Sequence, residues 1–89
     1  MTKYDILIAD SVIKFIDKLG IEEKDKIIKR IEKLEENPYS VGEPRGKFWI
    51  LKIGRAGYRI AYRILENDKI VRIVAIEKRK SWRYGDFYQ

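Results

Sequence analysis

Apolar positions recur along the chain with two different periods. Val12, Phe15, Ile16 and Leu19 fall at i, i+3, i+4 and i+7, which predicts an amphipathic helix. Asp10 and Ser11 precede it as candidate caps, and Gly20 stands at its expected C′ position. A second helix is predicted from about Glu22, with Ile27, Ile28, Ile31 and Leu34 as its stripe. Glu22 and Glu23 suit the positive end of its dipole, and Asn37 and Pro38 are its stop. So few residues separate the two helices that they should form an antiparallel hairpin, with charged faces that are simply solvated.

The remaining segments read with period two or none. Tyr4 to Ala9 alternates weakly and predicts a first strand. Tyr39 to Lys47 contains Pro44 and two glycines and reads as a loop. Phe48–Ile53, Tyr58–Leu65 and Ile70–Lys78 predict three strands, linked by tight connections at Gly54–Gly57 and Glu66–Lys69. The expected fold is α+β, one domain over residues 1–89 in the order β-α-α-β-β-β. A helical hairpin would cover one face of a four-stranded sheet and leave the other partly open. Ser81 to Gln89 forms a short aromatic and basic tail.

Composition narrows the chemistry. The 89 residues include no Cys and no His. Disulfides, thiolate metal sites and the usual neutral-pH general base are therefore excluded, and no metal or cofactor is expected. No apolar run is long enough to cross a bilayer, and the N-terminus lacks a secretion signal, so a soluble, cytoplasmic protein is expected. Abundant Ile, Lys and Glu fit a thermophilic source or an AT-rich genome equally well.

Charge is divided unevenly. Met1 to Pro44 carries 8 Lys/Arg against 10 Asp/Glu, and Arg45 to Gln89 carries 12 against 4. The second half is thus +8 and rich in Arg and aromatics, which suits a polyanion that presents bases. A membrane surface would favour a basic amphipathic helix instead, whereas this half reads as strands.

Alternation along Tyr58–Leu65 puts Tyr58, Ile60, Tyr62 and Ile64 on one face and Arg59, Ala61 and Arg63 on the other. Lys52 interrupts the apolar run of the preceding strand, and the last strand ends in Glu77-Lys78-Arg79-Lys80. Any one of these cations is explained by edge protection. As a group they point to an anion site, since no acid interrupts Arg45 through Leu65. Arg45, Lys47, Arg55, Arg63, Lys78, Lys80, Arg83 and Tyr88 are the candidate RNA contacts around it.

The segment from Leu51 to Tyr62, Leu-Lys-Ile-Gly-Arg-Ala-Gly-Tyr-Arg-Ile-Ala-Tyr, resembles the central signature of RelE/ParE toxins. Ile76-Glu77-Lys78-Arg79 resembles the strand before that family's basic, aromatic C-terminal segment. The element order resembles the family over nearly the whole chain. The resemblance implies a toxin of a type II toxin–antitoxin pair, with a RelB-like antitoxin as partner. RelE-like members cut mRNA on the ribosome, and ParE-like members poison DNA gyrase.

By resemblance to the RelE branch, Lys52, Arg59 and Arg79 match functional cations. Tyr84 lies one residue from the place of a base-stacking tyrosine, with Tyr88 and Tyr58 as alternatives. Ile50 stands where some members have a further lysine, so the basic cluster is either weaker here or completed by Arg55 or Lys47. Other members place a His near the C-terminus, and this chain has none.

Metal-free RNA cleavage needs a base for the 2′-hydroxyl, charge on the phosphate and an acid for the leaving oxygen. Lys52 is the candidate base, Arg59 the phosphate clamp, Arg79 the group behind the leaving oxygen and Tyr84 the stacking ring. Gyrase inhibition and plain RNA binding are the rival readings.

Overall fold

The structure, a computed structural model, describes residues 3–54 and 57–78. Its elements are β1 (Asp5–Ile8), α1 (Asp10–Asp17), α2 (Ile21–Glu32), α3 (Pro38–Val41), β2 (Glu43–Arg45), β3 (Phe48–Ile53), β4 (Tyr58–Leu65) and β5 (Ile70–Lys78). Short 3₁₀ turns span Lys33–Glu35 and Glu66–Asp68. The expected α+β class and the bounds of the three long strands hold. The sheet has five strands rather than four, in the order β1-β5-β4-β3-β2. β1 runs parallel to β5, and the other pairs are antiparallel.

Helix boundaries depart from expectation in four places. Ala9, not Asp10 or Ser11, is the N-cap of α1, and its side chain makes no cap bond. α1 ends at Asp17, so Gly20 is the N-cap of α2 instead of closing α1. α2 runs into a 3₁₀ turn in which Leu34 is still buried. Pro38 then starts α3 instead of ending α2, because proline's missing N–H costs nothing at a helix's first position. The expected loop from Tyr39 to Lys47 therefore holds most of α3 and all of β2.

One face of the sheet is packed under the helices. Leu51, Ile53, Tyr58, Ile60, Tyr62, Val71, Ile73 and Ile76 meet Val12, Ile16, Ile27, Ile31 and Leu34 there. Full burial of one such aliphatic side chain contributes roughly 1.5–3 kcal/mol. At its margin Trp49 lies near-parallel to Tyr62, and Tyr39 meets Trp49 edge-on. The Tyr62 hydroxyl donates to the Pro38 carbonyl at 2.6 Å, and burial pushes its pKa up to about 12. Gly42 passes so close that a Cβ there would strike this hydroxyl, which explains a glycine between α3 and β2.

A β-bulge decides which residues of β5 reach the core. Ala61 pairs with Ala75 but Tyr62 pairs with Ile73, so Val74 is the extra residue. Ile76 and Ile73 can then both face the helices although their spacing is odd, and Arg72 is turned to the opposite face.

A polar clasp closes the end of the sheet where β4 turns into β5. The hydroxyls of Tyr4 and Tyr39 each donate to Glu66 Oε1 at 2.7 Å, and Lys69 pairs with the same carboxylate. Lys69 adopts a left-handed conformation, φ 54°, to make the turn. The hydrogen bond from Lys69, then those from Tyr4 and Tyr39, lower the Glu66 pKa to about 2 from 4.5. A lowered carboxylate pKa stabilises the fold above the unfolded value, and that contribution fades as pH falls through the folded one. Glu66→Gln should therefore melt below the parent at pH 7, with a gap that closes between about pH 5 and pH 2. Melting curves across that range check it, and a gap independent of pH would rule out the clasp as an ionic device.

Candidate functional site

Pairing of β3, β4 and β5 lines up three charged residues on the face away from the helices. Lys52 lies directly opposite Arg59, and Arg59 opposite Glu77. Directly opposed residues share a face and are close enough for their side chains to interact. The expected association of Lys52 with Arg59 is therefore present. Arg59 is only 7% exposed, although its face of the sheet was expected to be partly open. Ile50 and Ala61, on the same face, are buried as well, so this side of the sheet is less open than expected. Lys52 is exposed.

Acids enter this site through strand pairing. Glu43 of β2 reaches Lys52 Nζ at 3.9 Å and Arg45 at 3.6 Å, and Glu77 stands across from Arg59. The expected run of unrelieved positive charge is thus corrected: an acid lies at each end of the Lys52–Arg59 row. The Glu43 contacts are solvent-exposed and weak, typically 0–1 kcal/mol, so a phosphate can displace them.

α2 also holds the row. β2 pairs with β3 only from Phe48 to Ile50, so the end of β3 lies beyond it. There the Arg30 guanidinium donates to the Lys52 carbonyl at 3.1 Å. This contact fixes the backbone that carries Lys52, and Arg30 had read as part of a solvated helix face.

The other candidates divide. Arg45 lies on β2 beside Glu43, and Lys47 lies in the exposed turn after it. Arg63 is exposed on the Arg59 face, directly opposite Arg72, which sequence reasoning missed. Lys78 pairs with Tyr58, and this register puts it on the helix-covered face, away from Lys52 and Arg59. Tyr58 fails as a stacking ring. It is buried, meets Phe15 edge-on, and its hydroxyl donates to Glu23 Oε2 at 2.5 Å. That hydrogen bond, with burial, pushes its pKa up to about 12. Arg55, Arg79, Lys80, Arg83, Tyr84 and Tyr88 lie outside the described residues.

Comparison with known proteins places the fold. The isolated E. coli RelE toxin superposes with a TM-score of 0.75 at 21% identity, covering 94% of this chain and 90% of that one. The toxin–antitoxin complex RelBE2 of Mycobacterium tuberculosis matches at 0.75 and 23%, covering 89% and 94%. The archaeal RelE–RelB complex of Pyrococcus horikoshii matches at 0.70 and 19%, covering 91% and 100%. No curated protein sequence matches the chain. The family model described as ParE toxin of the type II toxin–antitoxin system, parDE, matches residues 6–81. With that model reaching from Ile6 in β1 past the end of β5 and RelE toxins sharing the fold, the chain belongs to the ParE toxin family, within the RelE/ParE superfamily of type II toxin–antitoxin toxins.

Proposed function

We propose that this toxin is a metal-independent, ribosome-dependent endoribonuclease that cuts mRNA in the decoding site. The observation that carries this reading is the direct opposition of Lys52 and Arg59 on one sheet face. The attacking 2′-hydroxyl gives its proton to the Lys52 amine and bonds to the adjacent phosphorus. The bond to the 5′-oxygen breaks, leaving a 2′,3′-cyclic phosphate and a 5′-hydroxyl. Arg59 holds the phosphate oxygens with its planar fork as negative charge grows there. Arg79 gives the leaving oxygen its proton, or supports it while a water does so, and Tyr84 stacks on a base, with Tyr88 as the alternative. Two basic groups with acids beside them are a modest nuclease on their own, and the ribosome supplies the orientation of the message.

The partner is a RelB-like antitoxin. The E. coli, M. tuberculosis and P. horikoshii relatives are described in complex with antitoxins, which supports the same arrangement here. Its expected effect is to cover Arg59 and Arg79. A cytoplasmic site of action follows from this reading. Among the described residues no helix is long and apolar enough to cross a membrane.

The matched family description, which names ParE, favours a second reading as a gyrase poison without nuclease activity. Induction in a host followed by primer extension on translated message separates the two. Cuts in phase with codons are expected, and growth should recover when the antitoxin is co-expressed. Gyrase-dependent DNA breaks with intact message would establish the second reading. Harmless expression with neither kind of break would leave plain RNA binding.

A further inference from the structure

We propose that Arg63 and Arg72 form a second phosphate subsite, which holds a backbone phosphate of the same single-stranded RNA at a distance from the one being cut. This inference rests on RNA as the toxin's ligand.

The pair is an unusual thing for a sheet to keep. Arg63 and Arg72 are directly opposite on β4 and β5, and both are exposed. Like charges in that relation repel and weaken the sheet. Among the described residues neither arginine forms an ion pair, whereas Lys52 and Arg45 share Glu43. The β5 bulge at Val74 brings Arg72 onto this face, so the repulsion is created by the same irregularity that completes the core.

A bound phosphate turns this cost into a gain. Two guanidinium forks can bind its oxygens together, and their mutual repulsion is neutralised when it arrives. One flank of the pair is apolar. Arg72 lines a hollow of about 390 Å³ with Leu7, Ile8, Ala9 and Val74.

Position separates this subsite from the cleavage row. Arg59 and Arg63 are four residues apart on β4, or about 13 Å. One phosphate cannot touch both, so a bound strand must run across the sheet and present different phosphates to each.

The test is binding of a short fluorescent oligouridylate to the purified full chain, measured against salt concentration without ribosomes. Arg63→Ala/Arg72→Ala should weaken binding on the order of tenfold. It should also flatten the log–log salt slope by about 0.7, the value of one single-strand phosphate contact. Arg63→Lys/Arg72→Lys should keep the slope. The melting temperature of the alanine variant should be unchanged or higher, because a repulsive pair has been removed. If the parent binds and the alanine variant binds equally with an equal slope, the subsite is overturned and the RNA reading stands. If the parent binds no RNA, the subsite is overturned, and codon-phased cleavage of translated message decides the nuclease reading separately. Unchanged RNA binding with loss of the antitoxin would overturn the subsite and assign the arginines to the protein partner.

Discussion

Arg59→Ala is expected to lower single-turnover cleavage of ribosome-bound message by about 10²–10³-fold, the usual loss when one preorganised donor to a developing charge is removed. The same substitution should also destabilise the toxin. Arg59 is buried on the sheet face between Lys52 and Glu77, so truncating it leaves neighbouring polar groups without their partner. Such a loss costs about 1–3 kcal/mol, more than a surface arginine would. The two effects separate with Arg59→Lys. Lysine keeps the charge and most of the packing but loses the bidentate fork, so stability should largely return while cleavage stays low. Melting curves and rates measured on the same preparations check both. Parent-like cleavage in Arg59→Ala would remove it from the site, and recovery of cleavage with stability in Arg59→Lys would make its role structural.

That burial was not legible from the sequence, and the reason is general. Alternation along β4 correctly separated Arg59 from Tyr58 and Ile60, because period two is a local property of a strand. It could not say how covered the second face would be, since that depends on what lies over it. The acids near Lys52 were hidden for a related reason. Glu43 sits on a three-residue strand containing Pro44, entirely exposed and without apolar alternation, so nothing local marks it as a strand. Only pairing with Phe48 to Ile50 brings it there. Arg72 was obscured by the bulge, because strict alternation from Ile76 would have put it on the core face. By contrast, the long strands were legible to the residue, since Gly54 and Gly57 bound β3 and β4 and the polar turn Glu66–Lys69 separates β4 from β5. The helices were legible in their stripes and not in their ends. Asp10 promised a cap that Ala9 fills, and Pro38 promised a stop where a helix begins.

Lys52 carries the second large effect. Removing a general base typically costs 10²–10⁴-fold, and Lys52→Ala should fall in that range under single-turnover conditions. Lys52 is exposed and its ion pair with Glu43 is long, so stability should move by about 0.5 kcal/mol or less. The informative comparison is Lys52→Arg. A guanidinium preserves the positive charge opposite Arg59 but remains protonated at any pH the ribosome tolerates, so it cannot accept the 2′-hydroxyl proton. If Lys52 is the base, Lys52→Arg should be as slow as Lys52→Ala. If Lys52 only supplies charge, Lys52→Arg should cut nearly as fast as the parent. Single-turnover rates for the three proteins, measured on the same ribosome preparation, decide between these outcomes.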